Sequence, residues 1–406
     1  MSGRLLRCAI LVLALMVCAP LSAGVRKELK NLKTYVKTSN FSQGRQLIQK
    51  CLQDSTLNED LRLYDLAVQL EKKANDAENL KLYLNQKYDT AAFFNSISEM
   101  FRYAGMQDSV CLSTAIKPIQ TRKWEKQRRN THELLRSYYP NLYSGGIFFV
   151  KNKNYSSAMK LLSQYISLPN TSLWSGVLRA DSVRLPRAAF WYLTSSMEQK
   201  LWDEVFRYSD LAETDTANIA LVLQAEAQAL EQKGDSSGYV VSLKRGLNES
   251  PTPEYFFSRL TDRFNAHGDF MASKLLCDSL LAYDSKNPIY LYARTIALFN
   301  LKDYDECIEN TKTLVEVDST ISEGYCYIGL CWYNKGLMLD EKLTPDPTSS
   351  AYRKKKQEVN TMFTTAMPWL EKYMVMAPKD SSRWEAPLYR IYFSLNLADK
   401  LRTLDK

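Results

Sequence analysis

Histidine is almost missing from this chain, with two residues in 406. His132 and His267 stand far apart and belong to no HxxxH or HExxH pair. That excludes the helix-borne zinc-hydrolase arrangement, which needs two imidazoles one turn apart. Glycine (14) and proline (13) are also scarce. Both interrupt helices, so their shortage suits a chain that is mostly helical. A Walker-type phosphate loop, GxGxxG and CxxC are all lacking. By motif this removes the phosphate-binding loop, the dinucleotide fingerprint and the thioredoxin-type redox pair. After the first two dozen residues no apolar run reaches the roughly 20 residues that a membrane helix requires.

Charge is present but thin. The formal net charge is +8, dispersed over the chain, so nucleic acid is not an expected partner. The densest basic cluster, Arg122 to Arg129, reads as a solvated helix face. His132 reads as a surface histidine on the same kind of helix, and His267 as a polar loop residue before Gly268. Paired carboxylates such as Asp303 with Asp305 and Glu306 read as turn caps. No reaction centre and no cofactor site is expected.

The N-terminus carries a targeting pattern. Arg4 and Arg7 precede an apolar run from Cys8 to Ala19, and Pro20-Leu21-Ser22-Ala23 provides a small-residue exit. A signal peptide over residues 1–23 is the expectation, with export to the periplasm or the outer membrane of a Gram-negative bacterium. A lipid anchor on Cys18 is disfavoured because Met16-Val17 lacks the small residue expected beside it. Six cysteines follow: Cys51, Cys111, Cys277, Cys307, Cys326 and Cys331. Their irregular spacing on apolar helix positions predicts buried small hydrophobes rather than a disulfide framework.

Self-similarity is the strongest feature. Short turns, several carrying an aspartate, stand between apolar-periodic segments at Leu201-Trp202-Asp203, Gly234-Asp235, Gly268-Asp269, Lys302-Asp303 and Gly336. The step is 34 residues. Small residues (Ala158, Ala227, Cys307, Gly329) recur where paired helices would cross, and large ones such as Leu260, Phe264, Leu281 and Trp332 fill the seam. Asn154-Tyr155-Ser156-Ser157-Ala158 marks an upstream unit, and Asn40 to Gly44 a more diverged one. Leu337 to Met362 interrupts the last full unit, whose second helix resumes at Ala366 and ends at Ala377-Pro378-Lys379-Asp380.

Pattern and length resemble the tetratricopeptide repeat. That resemblance implies an all-α fold, a right-handed superhelical α-solenoid of helix hairpins, with one extended hairpin near the C-terminus. The expected organisation is a signal peptide (1–23), diverged repeats (24–140) and a regular array (141–400) with an insert at about 337–362. It also implies that first helices line a concave wall. On this chain the wall positions turn apolar towards the C-terminus: Tyr292, Ile296, Phe299, Leu330 and Tyr333, extended by Tyr389 and Tyr392. The family's carboxylate-clamping Lys and Asn are absent from Phe190/Thr194, Gln224/Gln228 and Tyr292/Ile296. The expected role is a non-enzymatic scaffold that binds a protein or peptide. A carrier of a peptide or glycan fragment is the alternative, and either the insert hairpin or the last helix would cover the wall if it folded back.

Overall fold

The computed structural model describes residues 27–113, 118–179, 181–343 and 347–404. The N-terminal targeting pattern lies outside them. Among the described residues every regular element is a helix, and none is long and apolar enough to cross a membrane. The chain divides into two compact units, residues 1–252 and 253–406.

In the first unit α1 (27–38), α2 (Phe41–Gln53), α3 (Leu61–Tyr83), α4 (Thr90–Ser113) and α5 (Pro118–Arg136) lead into α6 (Tyr139–Lys151) and α7 (Tyr155–Ser167). There follow α8 (Arg184–Glu198), the short α9 (Trp202–Val205) and α10 (Ser209–Ala212), then α11 (Ile219–Gln232) and α12 (Ser236–Glu249). The second unit holds α13 (Glu254–Ala266), α14 (Phe270–Leu281), α15 (Pro288–Asn300), α16 (Tyr304–Val317), α17 (Ser322–Asp340), α18 (Ser350–Met376), α19 (Ser381–Ser394) and α20 (Ala398–Leu404). Within each unit neighbouring helices pack in pairs, such as α3 with α4, α6 with α7, α15 with α16 and α17 with α18, and helices further apart in the chain touch as well: α6 with α8, α8 with α11, α15 with α17, α17 with α19. Each unit is therefore a two-layer stack of helical hairpins, the α-solenoid arrangement.

The 34-residue repeat has a backbone cause. Lys200, Gly234, Gly268 and Lys302, each 34 residues from the next, all have a left-handed φ between 58° and 75°. The residue after each donates its N–H five residues back: Leu201 to Ser196 O (2.9 Å), Asp235 to Leu230 O (3.0 Å), Asp269 to Phe264 O (2.9 Å), Asp303 to Leu298 O (3.0 Å). This is the Schellman stop, in which one left-handed residue satisfies helix-end carbonyls. At two of the four turns the same residue also caps the next helix through its side chain: Asp235 accepts from Gly238 N at 2.9 Å and Asp269 from Ala272 N at 3.1 Å. Stop and start are thus fused into one two-residue turn.

Gly336, expected as the next such turn, is not one. It lies within α17 and is buried. A Cβ there would stand 2.6 Å from the Phe363 ring, so its lack of a side chain serves the close approach of α17 to α18. No capping side chain follows it; Leu337-Met338-Leu339 simply continue the helix. Gly329, about two turns earlier, has the same role, with Leu370 Cγ 2.6 Å from where its Cβ would be. The two helices pair into the longest hairpin of the second unit.

His132 also differs from expectation. Its ring packs on Trp174, 5.0 Å between centroids, and its Nε2 is buried without a partner. Trp174, in the segment between α7 and α8, is fully buried and also meets Phe101 at 5.4 Å. A linker that inserts a tryptophan between helices creates an inner face that helical periodicity in α5 alone does not reveal. Arg128, placed by the sequence on a solvated face, reaches Asp108 at 3.4 Å. All six cysteines are free and buried.

Candidate partner-binding face

In the second unit a set of partly buried aromatic side chains lies on the layer formed by α15, α17 and α19. α15 starts cleanly because Asn287 accepts from Ile289 N (3.0 Å) and Tyr290 N (3.3 Å), with Pro288 in the first turn. Tyr290, Leu291, Ala293, Thr295, Ala297 and Leu298 are then buried. The steps of three and four that remain, Tyr292, Ile296 and Phe299, are half-buried on the other side.

Tyr327 of α17 fills the space between the ends of that stripe. Its ring lies 6.5 Å from Tyr292 and 5.2 Å from Phe299, edge to face in both cases. Edge-to-face geometry is the favoured aromatic contact. Arg383 of α19 sets its guanidinium 5.1 Å over the Tyr327 ring and 5.6 Å over Tyr373. Its side chain is 30% exposed, and its nearest carboxylate among the described residues, Asp380, is 3.9 Å away. Asp380 meanwhile accepts from the Tyr373 hydroxyl. The cation is therefore held by ring faces, with only a loose ion pair. Burial raises the phenol pKa of Tyr292, Tyr327 and Tyr333, so all three stay neutral donors.

The sequence-predicted residues divide among three places. Tyr292, Ile296 and Phe299 share the α15 stripe. Tyr333 stacks on Phe363 of α18 (5.7 Å, 25°), and together with Tyr389 it lines a cleft of about 540 Å³. Ser381, Ser382, Glu385, Ala386 and Arg390 complete that cleft. Leu330 is half-buried against the clusters around Phe363 and Tyr325. Tyr392 is only 2% exposed and donates its hydroxyl to Glu371 Oε1 at 2.8 Å, so its ring is in the core. Tyr389 is half-exposed, at 50%.

Two residues at the centre of the face were not singled out by sequence, Tyr327 and Arg383. Tyr327 was legible in principle: Glu323, Tyr327, Leu330 and Asn334 follow one another at helical spacing on α17. Arg383 was not, because its importance depends on how α19 lies against α17. Among the described residues no group of three or more His, Cys, Asp or Glu side chains could hold a metal. The arrangement is suited to holding a chain through rings and a cation.

No protein-family model and no curated protein matches the chain. Solved structures overlap it weakly. The C-terminal part of a TPR repeat-containing protein from Cytophaga hutchinsonii superposes with a TM-score of 0.41 at 12% identity, over 64% of this chain and 90% of that one. A TPR repeats protein from Bacteroides fragilis gives 0.32 at 18% identity, over 62% and 97%. Human IFIT1 bound to m7Gppp-AAAA gives 0.34 at 12% identity, over 82% and 71%. Overlaps this loose transfer no ligand, and the fold rests on the hairpin geometry itself.

Proposed function

We propose that the chain is a non-enzymatic interaction scaffold that holds a protein partner on the α15–α17–α19 face. One observation carries this reading: a partly exposed guanidinium seated on tyrosine rings, with no carboxylate of the described residues nearer than 3.9 Å. Such a cation retains hydrogen-bonding capacity for an incoming acceptor. The rings beside it supply apolar area that loses little side-chain entropy on binding. The fitting partner is an extended or helical segment that places a carboxylate against Arg383 and an apolar side chain against Tyr292 and Tyr327. The charge-then-apolar pattern of residues 1–23 supports an exported protein working in a bacterial envelope. The dispersed charge supports a protein rather than a nucleic acid as partner.

A second reading attaches to the cleft between Tyr333 and Tyr389. Two phenol rings with two serines, a glutamate and an arginine around about 540 Å³ would also suit a small peptide or glycan fragment. Separate variants distinguish the two. Arg383→Gln with Tyr292→Ala should abolish co-purification of the envelope partner while leaving the melting temperature within a few degrees. Tyr389→Ala should leave that partner bound. If the first variant melts early yet retains the partner, the face is structural and the proposal fails.

A further inference from the structure

We propose that the tip of the α3–α4 hairpin, far along the chain from that face, seats in the interfacial layer of a lipid bilayer. At this tip Leu80 (57%), Leu82 (45%), Tyr83 (84%) and Leu84 (53%) are all exposed, four large side chains within five residues. Nowhere else among the described residues do exposed large hydrophobics stand so close together in sequence. Clustered apolar exposure of this kind marks an interaction site.

The tip is built, not frayed. Asn85 takes a left-handed φ of 54°, and Gln86 N donates to Lys81 O at 2.8 Å, the same helix stop used in the repeats. Glu78 accepts from Asp89 N at 2.8 Å, and Asp89 in turn accepts from Ala92 N at 2.9 Å to start α4. Deeper in the hairpin, Asn75 ties α3 to α4 through Phe93 O (2.9 Å) and Ser96 Oγ (3.1 Å). A fixed turn thus displays Leu-Tyr-Leu outward.

A bilayer fits this surface better than a protein does. Four side chains on a convex turn fall far short of the roughly 1,200 Å² that a stable protein interface buries. Insertion into lipid needs no complementary groove, and leucines with an amphipathic tyrosine match the headgroup boundary. Charge agrees. Lys81 is paired with Glu78, but the exposed Lys73 and Lys87 have no ion pair among the described residues. Lys73 lies two helical turns behind Leu80 and Lys87 just past the turn, which suits anionic headgroups around an inserted tip.

The test uses the chain from Gly24 onward, the form expected after processing, and vesicles of phosphatidylethanolamine and phosphatidylglycerol. An environment-sensitive fluorophore is attached through Tyr83→Cys, and for comparison through Tyr283→Cys, which is 92% exposed in the second unit. Vesicles should blue-shift the label at position 83 and shield it from iodide, and leave the label at 283 unchanged. The triple variant Leu80→Ser, Leu82→Ser, Leu84→Ser should lose on the order of tenfold or more in vesicle co-sedimentation, with an unchanged circular dichroism spectrum. No shift at position 83 overturns the proposal. So does a shift that appears without lipid and grows with protein concentration, because the tip would then pair with a second copy.

Discussion

Replacing Gly329 with alanine should destabilise the second unit, although the same change elsewhere in a helix stabilises. Glycine inside a helix costs about 1 kcal/mol relative to alanine, so the substitution starts with that gain. At position 329 the added methyl would stand 2.6 Å from Leu370 Cγ, 2.9 Å from Cδ2 and 3.2 Å from the Leu370 backbone nitrogen. The Cγ is the branch point of the leucine and the nitrogen belongs to α18, so relief requires moving the helix. Overpacking of this kind costs about 1–3 kcal/mol, leaving a net loss of up to about 2 kcal/mol after the propensity gain. Gly105 in α4 is the control, since nothing lies within 4 Å of its missing Cβ. Gly105→Ala should raise stability by about 0.5–1 kcal/mol. Urea unfolding of both variants, read at the midpoint, measures the two signs. Combining Gly329→Ala with Leu370→Ala should cost less than the sum of the single changes, because one change makes the room that the other fills. Equal stabilisation by both alanines would refute the helix-crossing role of Gly329.

Three further outcomes follow from the same geometry. Gly268→Ala should lose about 1 kcal/mol through its left-handed φ of 72°, whereas Lys302→Gly should be neutral or gain up to about 1 kcal/mol; thermal melting reads both. Burial beside Glu213 pushes the Glu226 carboxyl up to about 7, despite Arg245 at 3.2 Å. A raised folded pKa means that this group's contribution is full below the unfolded value, near pH 4.5, and is lost as pH rises through about 7. Glu226→Gln should flatten that decline, by up to about 1.4 kcal/mol for each tenfold change in proton affinity, in urea midpoints taken from about pH 5 to 8. Burial pushes the Cys277 and Cys326 thiols up to about 12. Both should resist a thiol reagent such as DTNB until the chain unfolds, and reaction in the native state would contradict the packing.

The repeat was legible because its turns use chemistry that sequence displays: Gly-Asp at 234–235 and 268–269, where a left-handed residue meets a cap. Lys302-Asp303 keeps the aspartate and the spacing, so it could be aligned although lysine is an unusual left-handed residue. Gly336 misled because a helix-stop glycine and a close-approach glycine look the same until the partner, Phe363, is in place. His132 misled for a related reason: the tryptophan that covers it arrives from a linker 42 positions later in the chain. On the candidate face, the α15 stripe followed from helical spacing. Which of Tyr327, Tyr333 and Tyr392 would face outward, stack or sink depended on where α18 and α19 settle, and periodicity within one helix does not carry that.

Site-specific photocrosslinking in living cells tests the functional claim most directly, with benzoylphenylalanine at Tyr292 or Tyr327 and, for comparison, at Tyr283. The account predicts a discrete protein adduct from positions 292 and 327, lost when Arg383→Gln is added, and none from 283. Adducts only from 283, or adducts at 292 and 327 that persist unchanged with Arg383→Gln, would contradict it.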